Sequence, residues 1–337
     1  MKTYFFLWLF FLPIILFSQT LQKLHSQGEA SIRGMSVADA SVVWLSGSKG
    51  WFARSTDGGR TWDWKQVANY AELDFRGIAA FSEKKAVIMN SGSPAVILFT
   101  EDGGQSWTEV YRNEAKEIFL DGISFFNAQE GLVYGDPVNG QMQLLKTRDG
   151  GRTWMNISAR SGIHLQEGEA SFAASNTGIC TLPDGHVWIV TGGVRSRVFC
   201  SADKGRHWSV YDAPILQGMD SRGPFSIDFY NAGEGIMVGG DYKTDTLRDR
   251  NAFLTTDGGK TWHRPDVNPF GFRSCVTYVA KELLLSTGTS GTDISKDGGK
   301  TWTRISDEGY HVASVLKKGK EVLLAGAKGR IALVCFD

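Results

Sequence analysis

The sequence predicts an all-β fold, a seven-bladed β-propeller, on three observations. A short turn motif recurs six times at near-regular spacing. Gly (40) and Trp (11) are frequent among the 337 residues while Pro (8) is scarce. Each interval holds short alternating segments separated by turn residues, as strands of a repeated sheet require.

The motif reads Ser55-Thr-Asp57-Gly-Gly-Arg-Thr-Trp62 in its first copy, and its acidic residue returns at Asp102, Asp149, Asp203, Asp257 and Asp297. The Asp-to-Asp steps are 45, 47, 54, 54 and 40 residues, about the chain that a four-stranded blade consumes. The carboxylate of such an Asp can accept N–H groups of the turn it starts, and the paired Gly supply positive φ. The Trp opens the next strand and can bury its ring between blades. These six Asp boxes are therefore expected to be structural. The fourth copy departs from the pattern, with Lys204 for a Gly and His207 for the hydroxyl residue. His207 is expected to be a turn residue and no ligand.

The strands follow in order. Residues 31–37, 42–46 and 51–54 lead into the first box, and 62–67 complete the first blade. The same order restarts near Phe75, Leu120, Ala170, Phe225 and Arg273. After the last box, 310–316, 321–325 and 330–336 make a set with no box. The chain near Leu21–Ser26 can supply its missing outer strand, so the seventh blade is shared between the termini and closes the ring.

Residues 1–19 are expected to be a signal peptide, and 20–337 one domain. Lys2 precedes an apolar run, Tyr4 to Phe17, broken only by Pro13. That run is short for a membrane span and has no Cys after it to take a lipid. The expected location is periplasmic or secreted, with no membrane span after cleavage. Cys180 and Cys200 fall within one repeat and could pair, or all four Cys, including Cys275 and Cys335, could be small buried residues. With 36 basic and 36 acidic residues the formal net charge is +0, so nucleic acid is not an expected partner. No metal is expected, because each box carboxylate is already used by its turn, and no cofactor is expected.

Beyond the boxes, several segments are similar to one family. They include Phe75-Arg76-Gly77, Ser91-Gly92-Ser93-Pro94-Ala95, Phe119-Leu120-Asp121-Gly122, Gly135-Asp136-Pro137, the run from Gly168 to Ala174, and Gly239-Gly240-Asp241-Tyr242. The chain resembles the photosystem II stability/assembly factors of plants and cyanobacteria, in a non-photosynthetic bacterial branch. The resemblance implies a seven-bladed propeller that helps assemble or stabilise a protein complex.

Aligning the seven inner strands gives one position per blade: Arg33, Arg76, Asp121, Glu169, Phe225, Arg273 and His311. A small residue usually follows, which suits a crowded axis. This ring is the candidate ligand site at the channel mouth, because Arg forks match carboxylates bidentately. Arg195 and Asp241, on loops of the same face, extend it. The same charges could instead pair across a wet channel, Arg76 with Asp121 for example. The expected function is non-enzymatic docking of a protein, peptide or glycan, with no catalytic residue assigned. The alternative is a sialidase-like or other glycoside hydrolase using Asp121 and Glu169 as paired carboxylates.

Overall fold

In the computed structural model, residues 19–24, 28–316 and 320–336 are described. The expected signal peptide therefore lies, apart from Gln19, outside the described residues. Each blade is an antiparallel sheet, and the seven sheets form a β-propeller. In blade one the inner strand Ile32–Val37 pairs Val43–Gly47, which pairs Trp51–Ser55, which pairs Asp63–Gln66. Register places Ile32 opposite Gly47 and Val43 opposite Ser55. The start of each inner strand and the box turn thus sit at opposite ends of a blade.

Burial follows position in the blade. The second strands Val43–Gly47 and Ala86–Asn90 are buried at every residue, sandwiched between neighbouring blades, so they read as continuous apolar runs. The outer strand Asp63–Gln66 has no fully buried residue and reads polar. The core consequently lies between blades. Trp44 and Phe52 of blade one pack with Phe75, Ile88 and Leu98 of blade two. Each fully buried side chain of this size contributes roughly 1.5–3 kcal/mol. The box Trp107 caps this layer edge-on to Phe52, at 5.3 Å between ring centroids.

The ring closes through the N-terminal strand Gln19–Leu24, which pairs Ile331–Phe336 from Gln19↔Phe336 to Leu24↔Ile331. This strand begins two residues earlier than Leu21. His25 and Ser26 lie outside the described residues. Among the described residues, no helix is long and apolar enough to cross a membrane.

The boxes have the expected turn geometry. In the first, Asp57 Oδ1 accepts the N–H groups of Arg60 and Thr61 at 2.9 Å, and Oδ2 accepts the Thr61 hydroxyl at 2.6 Å. Gly58 and Gly59 both have positive φ, 75° and 86°. In the fourth box Lys204 adopts φ 60° in place of Gly, and His207 Nδ1 meets Asp203 Oδ2 at 2.5 Å where the hydroxyl would be.

Two blades depart from the expected pattern. Blade five has three strands, with Leu254 and His263 forming only an isolated bridge at its outer edge. Blade four has a divided inner strand. Glu169–Ala170 and Ile179–Thr181 both pair the second strand Val187–Gly193, and the residues between leave the sheet. Cys180 and Cys200 flank Trp188 on opposite sides of that second strand. Two inter-strand spacings of about 4.8 Å put them beyond disulfide reach, and Cys180, Cys200 and Cys275 are free thiols.

Candidate functional site

The ring position coincides with a backbone irregularity. In blades one, two, three and five the pairing register shifts at Arg33, Arg76, Asp121 and Phe225, each skipped between two paired residues. A bulge of this kind re-aims one side chain out of the ladder. The small residue that follows tolerates the crowding: a Cβ on Gly34 would sit 2.2 Å from Ser46 Oγ.

The departure in blade four shapes the site. Residues 171–178 cross the channel and bind five other blades. Ser171 N–H donates to Asp136 Oδ1 at 2.7 Å. Arg33 Nη1 donates to the Ala174 carbonyl at 3.1 Å, and Arg76 Nη1 to the Ala173 carbonyl at 3.4 Å. Ser175 Oγ donates to the Ser274 carbonyl at 2.6 Å. Ile227 N–H donates to the Thr177 carbonyl at 2.9 Å. Buried backbone polar groups must be paired, so a segment that leaves its own sheet inside a channel must take partners from others.

Above this segment lies a cavity of about 440 Å³. Arg33, Arg76 and His311 line one part of it, and Phe172, Phe225, Phe272 and Tyr242 another. Phe172 stacks on Phe225 at 3.9 Å, and Phe272 stands edge-on to Phe225 at 4.7 Å. Tyr242 is 46% exposed at the rim. The cavity therefore pairs a cationic wall with an aromatic one.

The cavity is lined by two guanidinium groups, Arg33 and Arg76, and one carboxyl, Asp136. Arg76 Nε is paired with Asp74 Oδ2 at 2.7 Å. Arg33 makes no salt bridge among the described residues, and Asp74 acts on it only at longer range. Burial and the neighbouring Arg76 lower its pKa to about 10, which still leaves it cationic at neutral pH. Burial, then Arg33, Arg330 and Arg76, push His311 down to about 3, so its ring is neutral. Burial raises Asp136 to about 6.

Several predicted site residues are placed elsewhere. Arg273 is fully buried, with Nε 2.8 Å from Asp293 Oδ2 and Nη1 bonded to the Phe272 carbonyl. Ser274 lines the cavity instead, because pairing in blade six starts at Cys275↔Thr287. A one-residue slip in strand register exchanges the faces. Glu169 lies away from the cavity, held by Arg197 at 2.6 and 2.8 Å, because the channel crossing displaces blade four's inner strand to Ile179. Asp121 is fully buried below the mouth, neither carboxylate oxygen has a hydrogen-bond partner, and burial raises its pKa well above the usual carboxylate range. It forms no ion pair with Arg76, which takes Asp74. Neither Asp121 nor Glu169 lines the cavity, so the paired-carboxylate assignment for glycoside hydrolysis has no geometric basis there. Arg195 is a half-buried residue outside the cavity lining, bonded to Asp212 at 2.6 Å. Asp241 is buried and bonded to Arg222 at 3.0 Å; burial opposes its ionisation, but its hydrogen bonds hold its pKa below the usual value.

Sequence reasoning missed Phe172, Phe272 and Tyr242 as a wall and residues 171–178 as a crossing. The available signal was the 54-residue step from Asp149 to Asp203. A longer repeat in a closed ring must place its extra residues outside the sheet.

The comparisons agree with this architecture. The family model described as photosynthesis system II assembly factor YCF48 matches residues 16–116, and the BNR/Asp-box repeat matches 253–264. The chain is similar to the photosystem II assembly factor-like propellers. It is 22% identical to the chloroplastic photosystem II stability/assembly factor HCF136 of Arabidopsis thaliana over 77% of this chain, and spans 63% of that protein's length. It is 23% identical to the photosystem II assembly lipoprotein Ycf48 of a Synechococcus strain over 74% of this chain and 80% of that protein. The solved structure of YCF48 bound to D1 peptide superposes with a TM-score of 0.66 at 17% identity, covering 95% of this chain and 97% of that one.

Proposed function

We propose that this chain is a non-enzymatic assembly module that docks a peptide segment of a partner protein at the channel mouth. The observation that carries this reading is Arg33. A partly buried cation that makes no salt bridge among the described residues, beside an aromatic wall, is suited to a ligand that brings both an anion and an apolar side chain. Arg33 and Arg76 hold two carbonyls of the crossing segment, so their donors are already oriented toward a peptide-like acceptor. The relatives support the reading: related proteins are assembly factors, and one similar structure holds a peptide. Site residues on this reading are Arg33, Arg76, His311 and the aromatic wall. A periplasmic or secreted location, following removal of residues 1–19, belongs to the same proposal.

The test is capture by a photo-crosslinking residue at position 242, in cells of the native host. A defined protein joined to the parent chain and lost in an Arg33→Ala/Arg76→Ala variant that still folds supports the reading. Equal capture by both chains removes the channel mouth from the function.

A further inference from the structure

The turn faces carry a second feature, at the junction of blades three and four. At the junction of blades two and three, Arg152 of the third box pairs with Glu101 of the second at 2.6 Å and lies over the Phe99 ring at 5.1 Å. One blade further on, the positions matching Arg152, Glu101 and Phe99 are Arg206, Arg148 and Lys146. A neutralised apolar junction is thus replaced by three cations. Burial lowers the pKa of Lys146; Glu130 opposes that shift, and Arg148, Arg206 and Lys204 add to it.

The local fold opens this junction into a cleft. The outer strand of blade three is only Met155–Asn156, followed by the helical turn Ser158–Ser161. In blade two the same strand is Thr108–Asn113. The shortened edge leaves a cleft of about 690 Å³ lined by Lys146, Arg148, Arg160 and Arg206 around Trp154 and Met155. Met155 is 55% exposed. None of the lining residues is acidic. The nearest carboxylates are engaged: Glu130 pairs with Lys204, while Asp149 and Asp203 accept the N–H groups of their own turns. Lys146 Nζ is held by the Lys204 carbonyl at 2.7 Å, while Arg148, Arg160 and Arg206 form no ion pair among the described residues.

We infer that this cleft is a second docking site, independent of the channel mouth, for an acidic peptide segment of a partner protein. Charge complementarity and volume argue for that occupant. Three unpaired guanidinium groups in a chain of zero net charge create a local positive field. The cleft exceeds what a single small anion fills, and the Trp154 and Met155 surface takes an apolar side chain between the acidic ones.

The test uses the full chain, with fluorescence anisotropy of a short labelled peptide alternating Glu and Leu at low ionic strength. Binding should saturate and weaken with salt. Arg148→Glu should lower affinity at least about tenfold. That variant remains folded, because a Glu there faces Arg206 as Glu101 faces Arg152, so its melting temperature should be equal or higher. The same Arg148-dependent loss should appear in the Arg33→Ala/Arg76→Ala background, where the channel mouth at the other end of the propeller no longer contributes. Unchanged affinity in Arg148→Glu, or no saturable binding, overturns the inference. Inorganic phosphate competing as strongly as the peptide also overturns it, by reducing the cleft to a simple anion site.

Discussion

Arg33 and Arg76, on adjacent blades, each hold a carbonyl of one crossing segment, Ala174 at 3.1 Å and Ala173 at 3.4 Å. Two cations from different sheets thereby meet at one strand of backbone. The arrangement fixes the floor of the mouth cavity and leaves Arg33 with charge to share.

Substituting Arg33 and Arg76 together with Ala should abolish ligand capture with a modest stability loss, of about 1–3 kcal/mol. Each lost hydrogen bond leaves a partly buried carbonyl to be solvated. Denaturant titration measures the stability, and the crosslinking assay measures capture. A chain that fails to fold would show that these residues are structural.

Arg273 behaves differently despite its place in the same sequence alignment. Its guanidinium and the Asp293 carboxylate are both fully buried. Arg273→Ala leaves Asp293 buried without its main partner, with Arg304 at 3.8 Å as the remaining cation. The expected cost is about 3–5 kcal/mol. A melting temperature unchanged within error would contradict the pairing.

The Asp boxes set the acid limit of the fold. Hydrogen bonds from Thr261 and its N–H hold Asp257 at about 2, and those from Ser106 and its N–H hold Asp102 at about 2. Folded pKa values below the unfolded one mean stability that is fully present above about pH 4 and is lost as pH falls toward 2. Asp257→Ala should destabilise by about 1–3 kcal/mol at neutral pH. Its penalty, read by thermal melts, should shrink as the pH approaches 2. A constant penalty across that range would remove ionisation from the box.

His311 adds a separate pH dependence. Its ring is neutral in the folded chain down to about 3, while the unfolded ring protonates below 6.5. The unfolded state binds the extra proton between these values, so this contribution falls as pH drops below 6.5. Asp136 and Asp228, both raised to about 6 by burial, act in the opposite sense over the same range. The readout is therefore the difference between the parent and His311→Gln: the parent should lose more stability between pH 7 and 4. Parallel curves would mean that folding does not shift the pKa of the His311 ring.

The fold was legible because its determinants are local. Asp57, its Gly pair and Thr61 close their turn with bonds spanning at most four residues, and that turn repeats. The buried second strands announce themselves as apolar runs, and the count of boxes plus one unboxed set gives the ring. Part of the site was legible for the same reason: Arg33, Arg76, Phe225 and His311 hold equivalent places in their inner strands.

What the tertiary structure alone decided is where the chain leaves that repeat. Glu169 and Arg273 look equivalent to Arg33 in the linear alignment. One is carried off the axis by the crossing of residues 171–178, and the other is turned into the core by a register difference of one. The partners that fix them, Arg197 and Asp293, are 28 and 20 residues away. Repetition in the sequence determined the number and kind of blades, since each turn is stabilised by its own neighbours. The chemistry of the mouth was decided by contacts between blades, since side-chain direction there depends on register and on partners that only ring closure brings together.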